Sequence, residues 1–235
     1  MADGIYVSMC GAAARSEQLD AVADNLANAQ TPGFKASRPA FEAFLPASGA
    51  SDKVYPAAVQ TRFDLRPGPS TRTDNPLDVV PEGGAFLAVT TASGQKAYTR
   101  DGRLTVDAEQ RLVQSGNPVL DPGGGPIQVP PGGVPRITDT GAVMVGNQAV
   151  GQLGLFKLEG PLDRAGQAHL LPGIGGRAEA FDGRVRVGEV ELGNATALDG
   201  MVQLIAAQRH FDASMQALQT YRSLDQRSNE LGRVR

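Results

Sequence analysis

The sequence predicts an α+β fold, with a long α-helix at each end of the chain, an extended connector and a small antiparallel β domain between them. The first observation is composition, because 29 glycines and 16 prolines in 235 residues exceed the average usage of about 7% and 5%. The second is distribution. Residues 5–30 and residues 194–231 contain no proline and a single glycine each, whereas the chain between them is dense in both.

The first helix is predicted over residues 5–30, where apolar side chains recur at three- and four-residue intervals. This spacing places them on one helix face over about three heptads. The helix should end at Thr31-Pro32-Gly33, because proline disfavours helix in the residue before it and glycine releases the backbone. The stripe comprises Ile5, Met9, Ala12, Ser16, Leu19, Ala23 and Leu26.

The last helix is predicted over residues 194–231, with Asn194 or Thr196 as its N-cap. At about 35 residues it would be roughly 50 Å long, well above the average globular helix of about 11–12 residues. Two apolar strips run along it. The main one comprises Met201, Leu204, Gln208, Phe211, Met215 and Leu218, and the second comprises Leu198, Val202 and Ile205.

Residues 36–75 are predicted to form the extended connector, because they hold five prolines and offer one short strand near residues 59–65. A long connector without regular structure is uncommon inside a compact domain. We therefore expect the chain to divide into a first helix over residues 1–35, the connector over 36–75, a β domain over 76–191 and a last helix over 192–235.

The β domain is predicted to be sandwich-like or barrel-like, because short apolar runs recur at about 8–12-residue spacing with turn residues between them. Three hairpins are expected within it. They pair residues 85–91 with 96–100, residues 103–106 with 111–114, and residues 143–145 with 153–158.

Charge and cysteine content exclude several functional classes. The formal net charge of −3 argues against a broadly basic nucleic-acid binder and a polybasic membrane anchor. The single cysteine, Cys10, cannot form an intramolecular disulfide, and with the separated His169 and His210 it makes a poor zinc set. Residues 173–178 fit G-x-G-x-x-G/A but lack the flanking strand and helix of a dinucleotide site. We expect no enzymatic activity, cofactor or metal.

The N-terminus does not resemble a cleavable secretory signal. It carries Asp3, its first positive side chain is Arg15, and it has no clear apolar run of the length such signals need. No stretch approaches the 18 apolar residues typical of a membrane-spanning helix. The residues alone therefore indicate a cytoplasmic protein, or one exported without a cleaved peptide.

The two helical stripes allow two arrangements. They can pair antiparallel on the β domain of a monomer, or they can meet copies of themselves in an assembly. The long last helix and the stretched connector favour the assembly, because an isolated hairpin would leave apolar faces in water.

Several motifs resemble those of the flagellar basal-body rod family. Residues 23–35 read ADNLANAQTPGFK, which is similar to the N-terminal signature of the axial rod and hook proteins. Residues 75–78 (NPLD) and 98–102 (YTRDG) are similar to paired motifs of the rod subfamily. Residues 188–195 read GEVELGNA, and residues 201–211 end in AQRHF, both similar to the family's C-terminal region.

The match is imperfect at three positions. Asp24 stands where the family usually has asparagine, Gly193 where serine is usual and Ala195 where valine is usual. The resemblance nevertheless covers both ends and the middle of the chain in the right order. Within the family, residues 124–130 and the short length resemble the proximal rod type most and the distal rod type next.

The resemblance implies that the terminal helices form an inner coiled-coil-like domain around the axis of a tubular rod, with the β domain outside. It implies a non-enzymatic subunit that transmits torque from motor to hook. Its partners would be copies of itself, other rod subunits and the flagellar type III export apparatus, with no nucleic acid or small-molecule substrate. Its location would be the periplasmic rod of the basal body, reached without a cleaved signal peptide.

Candidate subunit contacts lie on the helical stripes and in the N-terminal signature. Asn25 and Asn28 would fix the register by hydrogen bonding, as polar seam residues do in coiled coils. Phe34 would be an apolar anchor after the bend at Pro32-Gly33. The candidate residues are Ile5, Met9, Leu19, Asn25, Leu26, Asn28, Phe34, Met201, Leu204, Phe211, Met215 and Leu218.

Two other classes of function stay open on the residues alone. One is a rod-associated enzyme such as a peptidoglycan hydrolase, although no carboxylate pair stands out for glycoside cleavage. The other is a monomeric β-rich periplasmic binding protein with its own helices packed onto it.

Overall fold

The chain folds into two compact units in a computed structural model that describes residues 2–44 and 55–233. We name them the terminal unit and the β unit. The described parts of the terminal unit are residues 2–27, 37–44, 55–62 and 196–233, and the β unit comprises residues 28–36 and 63–195.

The terminal unit contains two helices and one pair of strands. Helix α1 spans Ala2–Ala27 and helix α2 spans Ala197–Arg233, while strands β1 (Ser37–Phe44) and β2 (Tyr55–Phe63) pair with each other. No helix in the described ranges is long and apolar enough to cross a membrane.

The two helices pack against each other where α2 begins. A Cβ atom at Gly200 would lie 3.3 Å from Cδ1 of Leu26, so a residue without a side chain allows this close approach. The start of α2 is capped by Thr196, whose Oγ1 accepts a 3.3 Å hydrogen bond from the amide of Asp199. This confirms Thr196 as an N-cap, because the bond satisfies one of the amides that the first helical turn leaves unpaired.

The β unit contains the strands from β3 to β18. Six of them form one antiparallel sheet in the order β14-β15-β6-β5-β13-β16, and the rest form smaller sheets that pair β10-β11-β12, β17-β4, β18-β3 and β7-β8-β9. The strands are β3 (Ser70–Arg72), β4 (Val79–Pro81), β5 (Phe86–Thr90), β6 (Lys96–Thr99), β7 (Leu104–Val106), β8 (Leu112–Gln114), β9 (Asn117–Pro118), β10 (Pro135–Ile137), β11 (Ala142–Val145), β12 (Gln148–Gln152), β13 (Leu155–Glu159), β14 (Leu162–Arg164), β15 (His169–Pro172), β16 (Arg177–Ala180), β17 (Val185–Val187) and β18 (Glu189–Glu191).

Strand β5 lies at the centre of the core and is buried on both faces. Leu87 and Val89 belong to one apolar cluster, whereas Phe86 and Ala88 belong to another. Successive side chains of a strand point to opposite faces, so one strand feeds both clusters. This explains why its sequence is a continuous apolar run rather than an alternating one.

Two of the three predicted hairpins are confirmed and the third is wrong. Strand β5 pairs with β6, and β7 pairs with β8, as expected. Strand β11, however, pairs with β12, while β13 pairs with β5 and β16. The two residues Gly146-Asn147, with Gly146 at a φ of +60°, close the tight turn that a short hairpin requires, so β12 occupies residues that the sequence suggested were a turn.

The predicted fold class is wrong. The chain is not a pair of long coiled-coil helices carrying a small β domain, because sixteen strands in five antiparallel sheets make the β unit the larger part of the described chain. The extended connector of that fold class is wrong too, since residues 36–75 contain β1, β2 and β3, of which β2 overlaps the one short strand predicted near residues 59–65. Proline is tolerated on edge strands, and both strands of the β1–β2 pair are edges.

Candidate functional site

Three charged side chains meet inside the β unit. The carboxylate of Glu191 lies between two cations, with Lys35 Nζ 2.6 Å from Oε1 and Arg100 Nε 2.8 Å from Oε2. A second guanidinium nitrogen of Arg100 also contacts Oε2. All three residues are buried, with exposed fractions of 2%, 2% and 1% for Lys35, Arg100 and Glu191. We call these residues the charge cluster.

Backbone groups complete the hydrogen bonding of the charge cluster. Lys35 Nζ donates to the carbonyl oxygen of Arg66 at 2.7 Å, and Arg100 donates to that of Ala85. The amide of Gly68 donates to Glu191 Oε1 at 3.0 Å. Buried charges are tolerated when they are paired and hydrogen-bonded, so these contacts account for ionic groups inside the core.

The charge cluster holds one more positive than negative group, and the pKa of Glu191 reflects this. Burial by itself raises the pKa of Glu191, but hydrogen bonds and charge from Arg100 and Lys35 outweigh it and hold that pKa below its ordinary value of 4.5. The carboxylate is therefore ionised at neutral pH, as the two cations require.

The charge cluster lies where four of the motifs from the sequence converge. Lys35 ends the first motif, Arg100 belongs to YTRDG and Glu191 belongs to GEVELGNA. The NPLD motif joins through Asp78, whose carbonyl oxygen accepts a 2.8 Å bond from the amide of Gly188. Close packing reinforces the arrangement, since a Cβ at Gly102 would lie 1.7 Å from the carbonyl oxygen of Val79.

Gly33 fits the first motif against this site. Its amide donates to the carbonyl oxygen of Glu191 at 2.8 Å, its φ is +68°, and a Cβ there would lie 2.1 Å from the backbone nitrogen of Asp101. The next side chain, Phe34, is fully buried, with the Arg164 guanidinium carbon 4.5 Å from its ring centroid. The Thr-Pro-Gly-Phe-Lys run therefore packs tightly into the β unit through Gly33 and Phe34.

Replacing Gly33 with alanine should destabilise the β unit by more than about 3 kcal/mol, because the added methyl group meets backbone in a left-handed conformation. Gly84 is the matched control, since its φ is +74° and nothing lies within 4 Å of an added Cβ. Alanine there should cost only about 1–2 kcal/mol. Urea unfolding followed by the NMR signals of buried Tyr98 measures both, and equal losses would contradict the packing argument.

A hydrogen-bond chain extends from the YTRDG motif. Asp101 accepts from Arg103 Nε at 2.9 Å and from Gln114 Nε2 at 2.8 Å. Gln114 Oε1 lies 2.8 Å from His169 Nε2, so this ring nitrogen carries the proton. Burial lowers the pKa of His169, against the opposing charge of Asp101. The histidine is thus a neutral donor in the fold of the β unit.

The first turns of α2 expose a row of apolar side chains. Leu198, Met201, Val202 and Ile205 have exposed fractions of 74%, 53%, 62% and 53%. Their i, i+3, i+4, i+7 spacing places them on one side of the helix. We call them the outer face. Single exposed apolar residues are ordinary, but a contiguous row of this kind is typical of a surface that contacts another protein.

The opposite side of α2 packs within the terminal unit. Ala207 and Leu218 are buried, and Leu204, Phe211 and Met215 are half-buried. Four of the predicted subunit-contact residues therefore lie on the inner side of the helix, and Met201 lies on the outer face. The second strip noted in the sequence, Leu198, Val202 and Ile205, forms the rest of the outer face.

The candidate residues of the first motif and α1 take varied positions. Met9 is exposed, and Leu19 and Leu26 are half-buried, while the side chain of Ile5 lies outside the described part of the structure. Asn25 exchanges two 2.8 Å hydrogen bonds with the backbone of Ser37. Asn28 accepts a 3.3 Å bond from Thr31 Oγ1. The two asparagines thus bond within their own chain in this structure.

Sequence reasoning missed the charge cluster. The signal was present, because Lys35, Arg100 and Glu191 each stand inside a motif, but nothing in the spacing of residues 35, 100 and 191 reveals that they meet. Among the described residues, no group of His, Cys, Asp and Glu side chains is arranged to hold a metal ion.

Three protein families match successive parts of the chain. "Flagella basal body rod protein" matches residues 5–35, "Flagellar hook protein FlgE/F/G D1 domain" matches residues 82–148, and "Flagellar basal body rod FlgEFG protein C-terminal" matches residues 187–231. Three of the four motifs fall within these ranges, and the NPLD motif ends at residue 78, shortly before the second range begins at residue 82.

Curated relatives match over nearly the whole length. The flagellar basal-body rod protein FlgF of Mesorhizobium japonicum is 32% identical over 99% of both chains, and that of Escherichia coli is 32% identical over 98% of both. The flagellar basal-body rod protein FlgG of Borreliella burgdorferi is 28% identical over 94% of this chain and 95% of its own. This chain therefore belongs to the flagellar basal-body rod protein family.

Proposed function

We propose that this chain is a FlgF-like structural subunit of the flagellar rod that assembles through the outer face of α2 and carries torque from motor to hook. As a rod-family member, it is a structural component of the flagellar basal body, where it assembles with other rod components. We further propose that the subunit contacts copies of itself and lies in the periplasmic part of the rod.

The outer face is the observation that carries this proposal. Full burial of an aliphatic side chain is worth about 1.5–3 kcal/mol, so four half-exposed ones offer roughly 4 kcal/mol per contact. Such a contact is weak alone, but it is repeated at every subunit of a lattice. A contact between different surfaces of identical subunits builds an open helix rather than a closed pair, which suits a rod.

The proposal also states which activities and ligands the subunit lacks and how it is exported. We propose that the subunit has no enzymatic activity and takes no nucleic acid or small-molecule substrate. We further propose export through the flagellar type III apparatus without a cleaved signal peptide. In support, the buried polar groups of the charge cluster are engaged in hydrogen bonds within the fold, as expected of a structural role.

A distal-rod, FlgG-like position is the second candidate. It is favoured by relatives named FlgG that match nearly the full chain at 26–28% identity, against 30–32% for relatives named FlgF. The difference in identity is small, so position in the rod needs its own measurement.

Electron microscopy of basal bodies tests both positions. A strain lacking this chain should show truncated rods without hooks, and restored tagged protein should be found in the rod. Arrest close to the motor indicates the proximal position, and arrest near the hook indicates the distal one. Intact rods and hooks in the deletion strain would contradict the proposed function.

A further inference from the structure

The chain passes between the β unit and the terminal unit at residues 27–28, 36–37, 62–63 and 195–196. Asn194 lies next to the last of these passages. Its Oδ1 accepts a 2.7 Å hydrogen bond from the amide of Ala36, and its Nδ2 donates to the carbonyl oxygens of Asp64 at 2.6 Å and Arg66 at 3.1 Å. One side chain thus bonds to residues beside two other passages.

Backbone bonds connect the same segments. The amide of Asn194 donates to the carbonyl oxygen of Phe34 at 3.2 Å, and the amide of Asp64 donates to that of Ala36 at 2.8 Å. All of these atoms belong to the β unit. Segments 34–36 and 64–66 and residue Asn194 are therefore each hydrogen-bonded to the other two.

The chemistry of this position requires an amide side chain. Asparagine offers one acceptor oxygen and two donor hydrogens on one small planar group, and here the oxygen and both donors are used. Alanine would lose all three side-chain bonds. Aspartate would keep the acceptor for Ala36, but it would place a carboxylate against two carbonyl oxygens and lose both donated bonds.

We propose that Asn194 is a positioning residue, a clasp that ties together three of the points at which the chain leaves the β unit. Because one side chain holds both of the other segments, a displacement of Asn194 removes its bonds to both of them at once, whereas separate side chains would let each segment open independently. On the proposed function, the clasp makes the segments share the torque that passes along the chain. This last step rests on the rod function, but the clasp itself does not.

Amide hydrogen exchange of the full-length, isotopically labelled chain tests the clasp. In Asn194→Ala, the Ala36 amide should exchange about fivefold faster, since a lost hydrogen bond is worth about 1 kcal/mol. In Asn194→Asp, the Ala36 amide should stay protected while the Asp64 amide exchanges faster. The Ala88 amide, in central strand β5, should keep its rate in both variants.

Asn117→Ala is the matched control, because this asparagine also lies in the β unit but makes a local 3.5 Å bond to the carbonyl oxygen of Ser115. It should leave the exchange of Ala36 and Asp64 unchanged. Equal acceleration of all amides in Asn194→Ala would show general destabilisation and overturn the clasp. Unchanged exchange at Ala36 would overturn it as well.

Swimming in media of rising viscosity tests the load-sharing step. Cells carrying Asn194→Ala should assemble rods and hooks but lose speed more steeply with viscosity than cells carrying Asn117→Ala. The same viscosity dependence in both strains would overturn load sharing and leave the exchange result intact. Failure of the rod function itself would be recognised separately, by intact rods in the deletion strain.

Discussion

Replacing Glu191 with glutamine is expected to destabilise the β unit by about 3–5 kcal/mol, the range seen when one partner of a buried ion pair is removed. The carboxylate of Glu191 is bonded to both Lys35 and Arg100, and all three side chains are almost fully buried. A neutral amide would leave two cations uncompensated and would direct a donor NH₂ at one of them. The loss should therefore lie at the upper end of single-residue effects.

Urea unfolding, followed by the NMR signals of Tyr98, measures this loss. The control is the triple variant Lys35→Met/Arg100→Met/Glu191→Leu, which removes every charge in the charge cluster together. Apolar replacement of whole buried ion groups is often neutral or stabilising, so the triple variant should be much more stable than Glu191→Gln. A triple variant as unstable as the single one would show that volume and hydrogen bonding, not charge, dominate here.

The same carboxylate should make stability depend on pH. The pKa of Glu191 in the folded chain lies below its ordinary value of 4.5, so the unfolded chain binds a proton more readily. The contribution of Glu191 is therefore full above pH 4.5 and is lost as the pH falls below it, through the folded-state pKa. The triple variant, which lacks this carboxylate, should lose less stability over this acid range than the unchanged protein. An equal loss of stability in the two proteins as the pH falls would contradict the assignment of this pH dependence to Glu191.

Local features were predictable from the sequence because local rules decide them. The hairpins β5–β6 and β7–β8 follow from short apolar runs bounded by turn residues, and Thr196 as an N-cap follows from its position before an apolar-periodic run. The third hairpin failed because Gly146-Asn147 closes a tighter turn than the predicted one. Proline content led to a predicted connector where β1 and the first half of β2 lie, since edge strands tolerate proline where central strands do not.

The candidate site was less predictable because its contacts are long-range. Lys35 and Glu191 are 156 positions apart, and no periodicity connects them. The motifs identified which residues matter, but spacing could not show that they form one buried cluster. For α2, the 3.6-residue period shows which residues share a face, but it does not show which face the rest of the chain covers. The outer face became apparent only from the exposure of Val202 and Ile205 in the folded chain.

The paired change Val202→Asp/Ile205→Asp is expected to abolish rod assembly while leaving the free subunit folded. Both side chains are more than half exposed, so an exposed aspartate costs the monomer only the small helix-propensity difference of a few tenths of a kcal/mol. In an assembled rod, the same two carboxylates would be buried against apolar surface without partners. Burial of an unpaired charge costs several kcal/mol, which exceeds the roughly 4 kcal/mol that the outer face offers.

Gln203→Asp is the control for an added aspartate, because it places one carboxylate at an exposed position of the same helix away from the outer face. Phe211→Asp would be a weaker test, since Phe211 is half-buried within its own chain and its loss would also damage the monomer. Basal bodies seen by electron microscopy should lack complete rods in Val202→Asp/Ile205→Asp and retain them in Gln203→Asp. Far-ultraviolet circular dichroism of the purified subunits should be the same for both. Complete rods in the paired variant would exclude the outer face as an assembly surface, because a repeated contact cannot hold two unpaired carboxylates at every subunit and still form.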